Sequence, residues 1–111
     1  SMMDINKEWL DESSNYMREI AGDDCVMTQV VDVSSIEEAE RSVAQTIEEM
    51  GGIHILINNA GIAVRKMLIG GETDNRFWEV SAEEWERVVG VNSNGPFYMA
   101  RSVVPHMLEQ D

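Results

Sequence analysis

Residues 53–61 read Ile53-His54-Ile55-Leu56-Ile57-Asn58-Asn59-Ala60-Gly61, and this stretch decides the fold. Four of its first five residues are aliphatic and three are β-branched isoleucine. A short apolar run bounded by turn residues is the pattern of a strand buried on both faces, as in a parallel sheet. The strand, placed at 53–57, runs into two asparagines whose amides can bridge backbone groups of neighbouring strands. Ala60 and Gly61 then leave the backbone open to close approach. In open α/β sheets the ligand crevice lies at the carboxyl ends of the strands, so Asn58, Ala60 and Gly61 are candidate binding residues. An asparagine-rich turn that binds nothing is the other reading.

Upstream, Ser34-Ser35 is a good helix start, with Glu37 and Glu38 in the first turn. Ile36, Ala39, Val43, Ala44 and Ile47 recur at spacings of three and four, and Gly51-Gly52 stops a helix over 35–50. Before it, Val26, Val30, Val31 and Val33 mark a second buried strand at 25–33. Asp32-Val33 closes that strand on the same side as Asn58. A carboxylate there can accept from an exocyclic amine of a ligand, or cap the helix that follows. Further upstream, a helix over 6–21 places Trp9, Leu10, Tyr16, Met17 and Ile20 on roughly one stripe, with Gly22 as its stop.

Downstream, residues 62–80 read as a loop around Gly70-Gly71 and Asp74-Asn75. Ser81 and Glu84 form a capping box that opens a long helix over 82–108, interrupted near Gly95-Pro96 and Pro105. Asn92 falls among Val88, Val89, Val91 and Phe97. An amide on an apolar helix face needs partners, whether it serves structure or function. The alternation of helix and strand gives an α/β fold with a parallel sheet.

Composition narrows the function. The chain has 111 residues, room for one domain, with 43% hydrophobic and 26% charged residues, as in globular proteins. It carries 21 acidic and 8 basic residues, a net charge of −13, which repels phosphate backbones and argues against nucleic-acid partners. No apolar run approaches the roughly 18 residues of a membrane span, and no secretory leader is legible in residues 1–10. A single cysteine, Cys25, excludes an internal disulfide and fits a reducing cytoplasm. His54 and His106 have no partner at metal-ligand spacing, so no metal site is expected. Neither GxGxxG nor GxxxxGK[ST] occurs.

Three motifs occur in one order: Asp32-Val33; Gly52-x-x-Ile55-Leu56-Ile57-Asn58-Asn59-Ala60-Gly61; and Trp85-x-x-Val88-x-x-Val91-Asn92-x-x-Gly95-x-Phe97. Together they resemble the short-chain dehydrogenase/reductase family over essentially the whole chain. The resemblance implies a Rossmann-like βαβ part of a doubly wound parallel sheet, forming a partial NAD(P)-binding domain over 1–111. It also implies hydride transfer between a nicotinamide cofactor and a small alcohol or ketone. Under it, Asp32 holds the adenine, Val33 contacts it through backbone, and Asn58, Ala60 and Gly61 line the cofactor crevice. Asn92 matches the catalytic asparagine that holds a water behind a lysine. Asp4-Ile5-Asn6 resembles the end of the family's second strand, where an acid binds the ribose hydroxyls and favours NAD over NADP.

The chain also departs from that pattern. The Gly-rich TGxxxGxG turn, the catalytic serine and the YxxxK pair are absent: Tyr16 and Tyr98 are followed four residues later by Ile20 and Ser102. His54 stands where the family usually has aspartate, and the 62–80 loop is longer than usual. The chain alone is therefore expected to be inactive, as part of an NAD-dependent oxidoreductase or as a non-catalytic oligomeric module. In the resembled 3-2-1-4-5 sheet order, 25–33 and 53–57 are not neighbours. Each then exposes two unpaired edges, and Val88, Val89, Met99, Val103, Val104 and Met107 lack a full sheet to cover them. A two-fold homo-oligomer is expected to complete or cover the fold.

Overall fold

The computed structural model describes residues 1–64 and 76–110. Strand β1 (Met2–Asp4) leads into helix α1 (Lys7–Ala21), a 3-10 turn (Asp23–Cys25) and strand β2 (Thr28–Val30). The two strands pair in parallel, Met2 with Thr28, Met3 with Gln29 and Asp4 with Val30. Helix α2 (Ile36–Met50) follows. A 3-10 turn (Phe77–Glu79), helix α3 (Ala82–Val89), a π-helical turn (Gly90–Asn94) and helix α4 (Gly95–Glu109) complete the described chain.

Local chemistry sets these limits. Asn6, Ser35 and Ser81 each sit at a helix start and accept from the backbone N–H three residues on, satisfying a donor the helix itself leaves open. Gly51 ends α2 in the left-handed region, φ 80°, where a side chain would be strained. Pro96 has no N–H to offer the carbonyl four residues back, and the helix widens just before it. There Gly95 N–H donates to Gly90 O, five residues away.

The core lies between α2 and α4. Ala39 and Val43 meet Met99 and Val103, and Met3, Val33, Ile47, Ile53, Leu56, Tyr98 and Met107 pack around them. Gly95 lets α4 approach the chain leaving β2: a β-carbon there would lie 2.9 Å from Val33 Cγ2. The contact of α2 with β2 is polar. The buried Gln29 amide donates to Ser42 O (3.1 Å) and to Thr46 Oγ1 (2.9 Å).

Several expectations change here. The strand expected over 25–33 shortens to Thr28–Val30, because β1 offers only three residues to pair with. β2 therefore has a partner, whereas residues 53–57 join no ladder among the described residues. Ile53 and Leu56 reach the core, but Ile55 and Ile57 are 78% and 80% exposed; a strand needs a neighbour to bury both faces, and no described residue pairs with this one. Met99 and Val103 are not left uncovered, since α2 buries them, while Val104 stays exposed. On α1 the buried positions are Leu10 and Ser14, four apart. Trp9, Tyr16 and Ile20 form a separate exposed stripe, about 100° around the helix. The helix expected over 82–108 is two helices joined by the π turn, and Pro105 lies within the second. Of the loop expected at 62–80, the part with Gly70-Gly71 and Asp74-Asn75 lies outside the described residues.

Candidate functional site

The parallel pair puts two acids at one end of the sheet. Asp4 closes β1, and its carbonyl accepts from Val31 N–H (3.1 Å) just past β2. Its carboxylate Oδ1 accepts from Asn6 N–H at 2.7 Å, which turns the chain into α1. Asp32 Oδ1 accepts from both the N–H (2.9 Å) and the hydroxyl (2.6 Å) of Ser34. Asp32 thus organises the turn before α2, while Ser35 caps the helix. Of the two roles open to Asp32, the local one is present, and one oxygen performs it. Asp32 N–H in turn donates to Glu38 Oε2 at 2.8 Å.

Asn92 lies in the π turn, exposed rather than packed on an apolar face. Its Oδ1 accepts from Ile62 N–H (2.9 Å) and its Nδ2 donates to Ile62 O (2.7 Å). The amide therefore clamps the backbone one residue beyond Gly61. A β-carbon on Gly61 would sit 3.6 Å from Asn92 Oδ1, so the clamp itself leaves room there.

Four of the seven residues singled out in the sequence, Asp4, Val33, Asn58 and Ala60, line one cavity of about 610 Å³ between β1 and the 53–60 segment. Asp32, Gly61 and Asn92 do not line it, although the first two adjoin residues that do. The cavity lining contains no lysine or arginine. Among the described residues no group of three or more His, Cys, Asp and Glu could hold a metal ion, and no helix is long and apolar enough to cross a membrane. His54 is exposed, and His106 pairs with Gln110. The sequence reading missed Gly95 as the residue that lets α4 reach Val33, and Ile62 as the partner of Asn92. A glycine before a proline inside a helical pattern was the available signal for the first.

The whole chain, residues 1–111, matches the family model described as short chain dehydrogenase. The chain belongs to the short-chain dehydrogenase family. Among its relatives, a levodione reductase of Leifsonia aquatica is 34% identical over 99% of this chain and 38% of its own length. A 3-oxoacyl-(acyl-carrier-protein) reductase of Thermotoga maritima is 30% identical over 96% of this chain and 39% of its own. A short-chain dehydrogenase/reductase of Burkholderia phymatum, solved in complex with NAD, superposes with a TM-score of 0.82 at 28% identity, covering 97% of this chain and 34% of its own. The chain spans only 27–40% of the length of the relatives it matches. The family's Rossmann-like α/β fold is represented here by the parallel pair β1–β2 and the helices packed around it.

Proposed function

We propose that these residues form part of an NAD-dependent oxidoreductase that moves hydride between the nicotinamide and a small alcohol or ketone, and that the chain alone does not turn over. The observation that carries this reading is the gathering of Asp4, Val33, Asn58 and Ala60 around one cavity at the carboxyl end of β1, in a chain of this family.

The residues fit the adenosine half of the dinucleotide. Asp4 engages Oδ1 with Asn6, and among the described residues Oδ2 carries no bond, so it can accept from a ribose hydroxyl. A carboxylate there, within a net charge of −13, disfavours the extra phosphate of NADP. Asp32 and the Val33 backbone would face the adenine, and Asn58, Ala60 and Gly61 would line the crevice beyond. The fit ends at the pyrophosphate: the cavity lining has no lysine or arginine, and the sequence has no Gly-rich turn. When bound, the dinucleotide supplies the hydride donor or acceptor that no side chain provides. Asn92 acts as a positioning residue through Ile62. Its carboxamide retains a second lone pair and a second N–H with which to hold a water. No Tyr-x-x-x-Lys pair is present to move the substrate proton.

Trp85, Phe97, Val104 and Leu108 are exposed on α3 and α4, which supports a homo-oligomer built on these helices. A cytoplasmic location goes with the lone exposed Cys25 and the absence of a membrane-spanning helix among the described residues.

The test is a calorimetric titration of the purified chain with NAD and with adenosine, together with an absorbance assay for NADH on secondary alcohols. Comparable weak heats for both ligands, with no NADH above a protein-free control, are expected. NADH production by the chain overturns the inactivity. Absence of any heat from adenosine overturns the assignment of the cavity.

A further inference from the structure

Strand β2 has two edges, and β1 uses one of them. Met27 O accepts from Met2 N–H, and Val31 N–H donates to Asp4 O. Backbone groups of successive strand residues point to opposite sides. Thr28 and Val30 alternate with those residues, so they turn their N–H and C=O away from β1. Among the described residues these four groups bond to nothing, and Val30 is 51% exposed. In the 3-2-1-4-5 order β2 is the third strand and lies outermost, so that order sets no further strand of the sheet on this side.

A charged side chain holds each end of the free edge, and the two charges are opposite. At the start, Arg18 of α1 donates from Nη2 to Val26 O (3.5 Å) and from Nη1 to Ser14 Oγ (3.1 Å). Among the described residues no carboxylate pairs with it. At the other end, Glu38 of α2 accepts through Oε2 from Asp32 N–H at 2.8 Å. Arg41 approaches the same oxygen only to 3.9 Å. Val26, Thr28, Val30 and Asp32 alternate along the chain, so cation and anion stand on one edge with the unpaired residues between them.

Charge beside an edge strand is one way of keeping other strands off it. The placement of these two charges is also self-complementary. Consider two copies paired antiparallel about a two-fold axis through Gln29, normal to the sheet. Thr28 of each copy then lies opposite Val30 of the other, and each such pair exchanges both of its N–H···O bonds. The same axis sets Val26 opposite Asp32, which brings Arg18 of each copy to Glu38 of the other. Two-fold symmetry repeats that contact at both ends.

We propose that the outer edge of β2 is a self-pairing surface. A second copy of this chain adds its own β2 antiparallel to it, and Arg18–Glu38 pairs close the junction at both ends. Main-chain bonds supply the affinity and the charges fix the register. The net charge of −13 opposes approach at long range, but at about 0.15 M salt it is screened beyond roughly 8 Å. Trp85, Phe97, Val104 and Leu108 take no part, so this surface is separate from the one read on α3 and α4. It holds whether or not a dinucleotide binds.

Hydrogen exchange and sedimentation equilibrium of the full chain, over a range of concentrations at about 0.15 M salt, test it. As dimer forms, exchange of the Thr28 and Val30 amides slows at least about ten-fold. Val30→Pro removes an outward N–H and leaves the bonds to β1 in place; its Thr28 amide loses that protection. Arg18→Glu and Glu38→Arg each weaken association at least about ten-fold, because like charges then meet at both ends. The double variant reverses both pairs and regains the association. Charges that served only to keep strands off the edge give the opposite result, with association unchanged or raised in the single variants, and that result overturns the proposal. So does exchange at Thr28 and Val30 that ignores concentration, association that protects only α3 and α4, or a folded double variant no tighter than the single ones. The exchange measurement uses the unaltered chain, so it decides the matter even where a variant does not fold.

Discussion

Asn92 holds Ile62 by both of its backbone groups, accepting from the N–H at 2.9 Å and donating to the carbonyl at 2.7 Å across 30 residues of sequence. The π turn that carries Asn92 and the segment through Asn58–Gly61 are thereby joined. A π turn is a costly irregularity that recurs at functional positions, and here it coincides with the residue that makes the clamp.

Asn92→Ala removes both bonds at an exposed site. The expected loss of stability in urea denaturation is about 1 kcal/mol, with faster exchange of the Ile62 amide. In the oxidoreductase proposed above, kcat falls by far more than this loss explains. Full kcat in Asn92→Ala returns the residue to a purely structural role.

Gly95→Ala sets helix propensity against packing. Alanine favours a helix by about 1 kcal/mol over glycine, but the new methyl lies 2.9 Å from Val33 Cγ2 and 3.4 Å from Val33 O. Valine is stiff and β-branched, so the clash wins and the net loss is about 1–3 kcal/mol. At Gly90 the nearest atom is Ser34 Cβ at 3.4 Å, and Gly90→Ala costs clearly less. Equal thermal midpoints for the two variants contradict this account.

Gln29→Leu keeps the volume and removes two buried bonds. Thr46 Oγ1 still donates to Ser42 O at 2.8 Å, so no donor or acceptor is orphaned, and the cost is about 1 kcal/mol for the pair. Gln29→Leu combined with Thr46→Val costs less than the sum of the single changes, as a double-mutant cycle reads directly. Strict additivity removes the coupling between β2 and α2.

Asp4→Ser keeps an oxygen for the Asn6 N–H that Asp4 now accepts, so the turn into α1 survives. It removes the carboxylate from the strand end. In the oxidoreductase proposed above, the ratio of kcat/KM for NADP over NAD rises. An unchanged ratio, measured by initial rates with both cofactors, takes the cofactor choice away from this residue.

The helices were legible because their signals are local. Ser35 and Ser81 cap where serine was read as a start, Gly51 stops α2, and the three-and-four spacing of Ala39 and Val43 faces the core. The order of motifs carried the family, since Asn58-Asn59-Ala60-Gly61 and Asn92 stand at fixed distances along the chain. What the sequence could not supply was the neighbour of each strand. The apolar run 53–57 has the residues of a buried strand, yet burial and pairing depend on what lies beside it, and Ile55 and Ile57 remain exposed. Nor does spacing reveal whose backbone Asn92 holds, how closely Gly95 brings α4 to Val33, or that a glutamine in β2 is buried against Ser42 and Thr46. Periodicity and caps act within a few residues and are written in the sequence. Hydrogen bonds and close contacts across 13 or more residues exist only once the elements have docked, and the tertiary structure alone decided them.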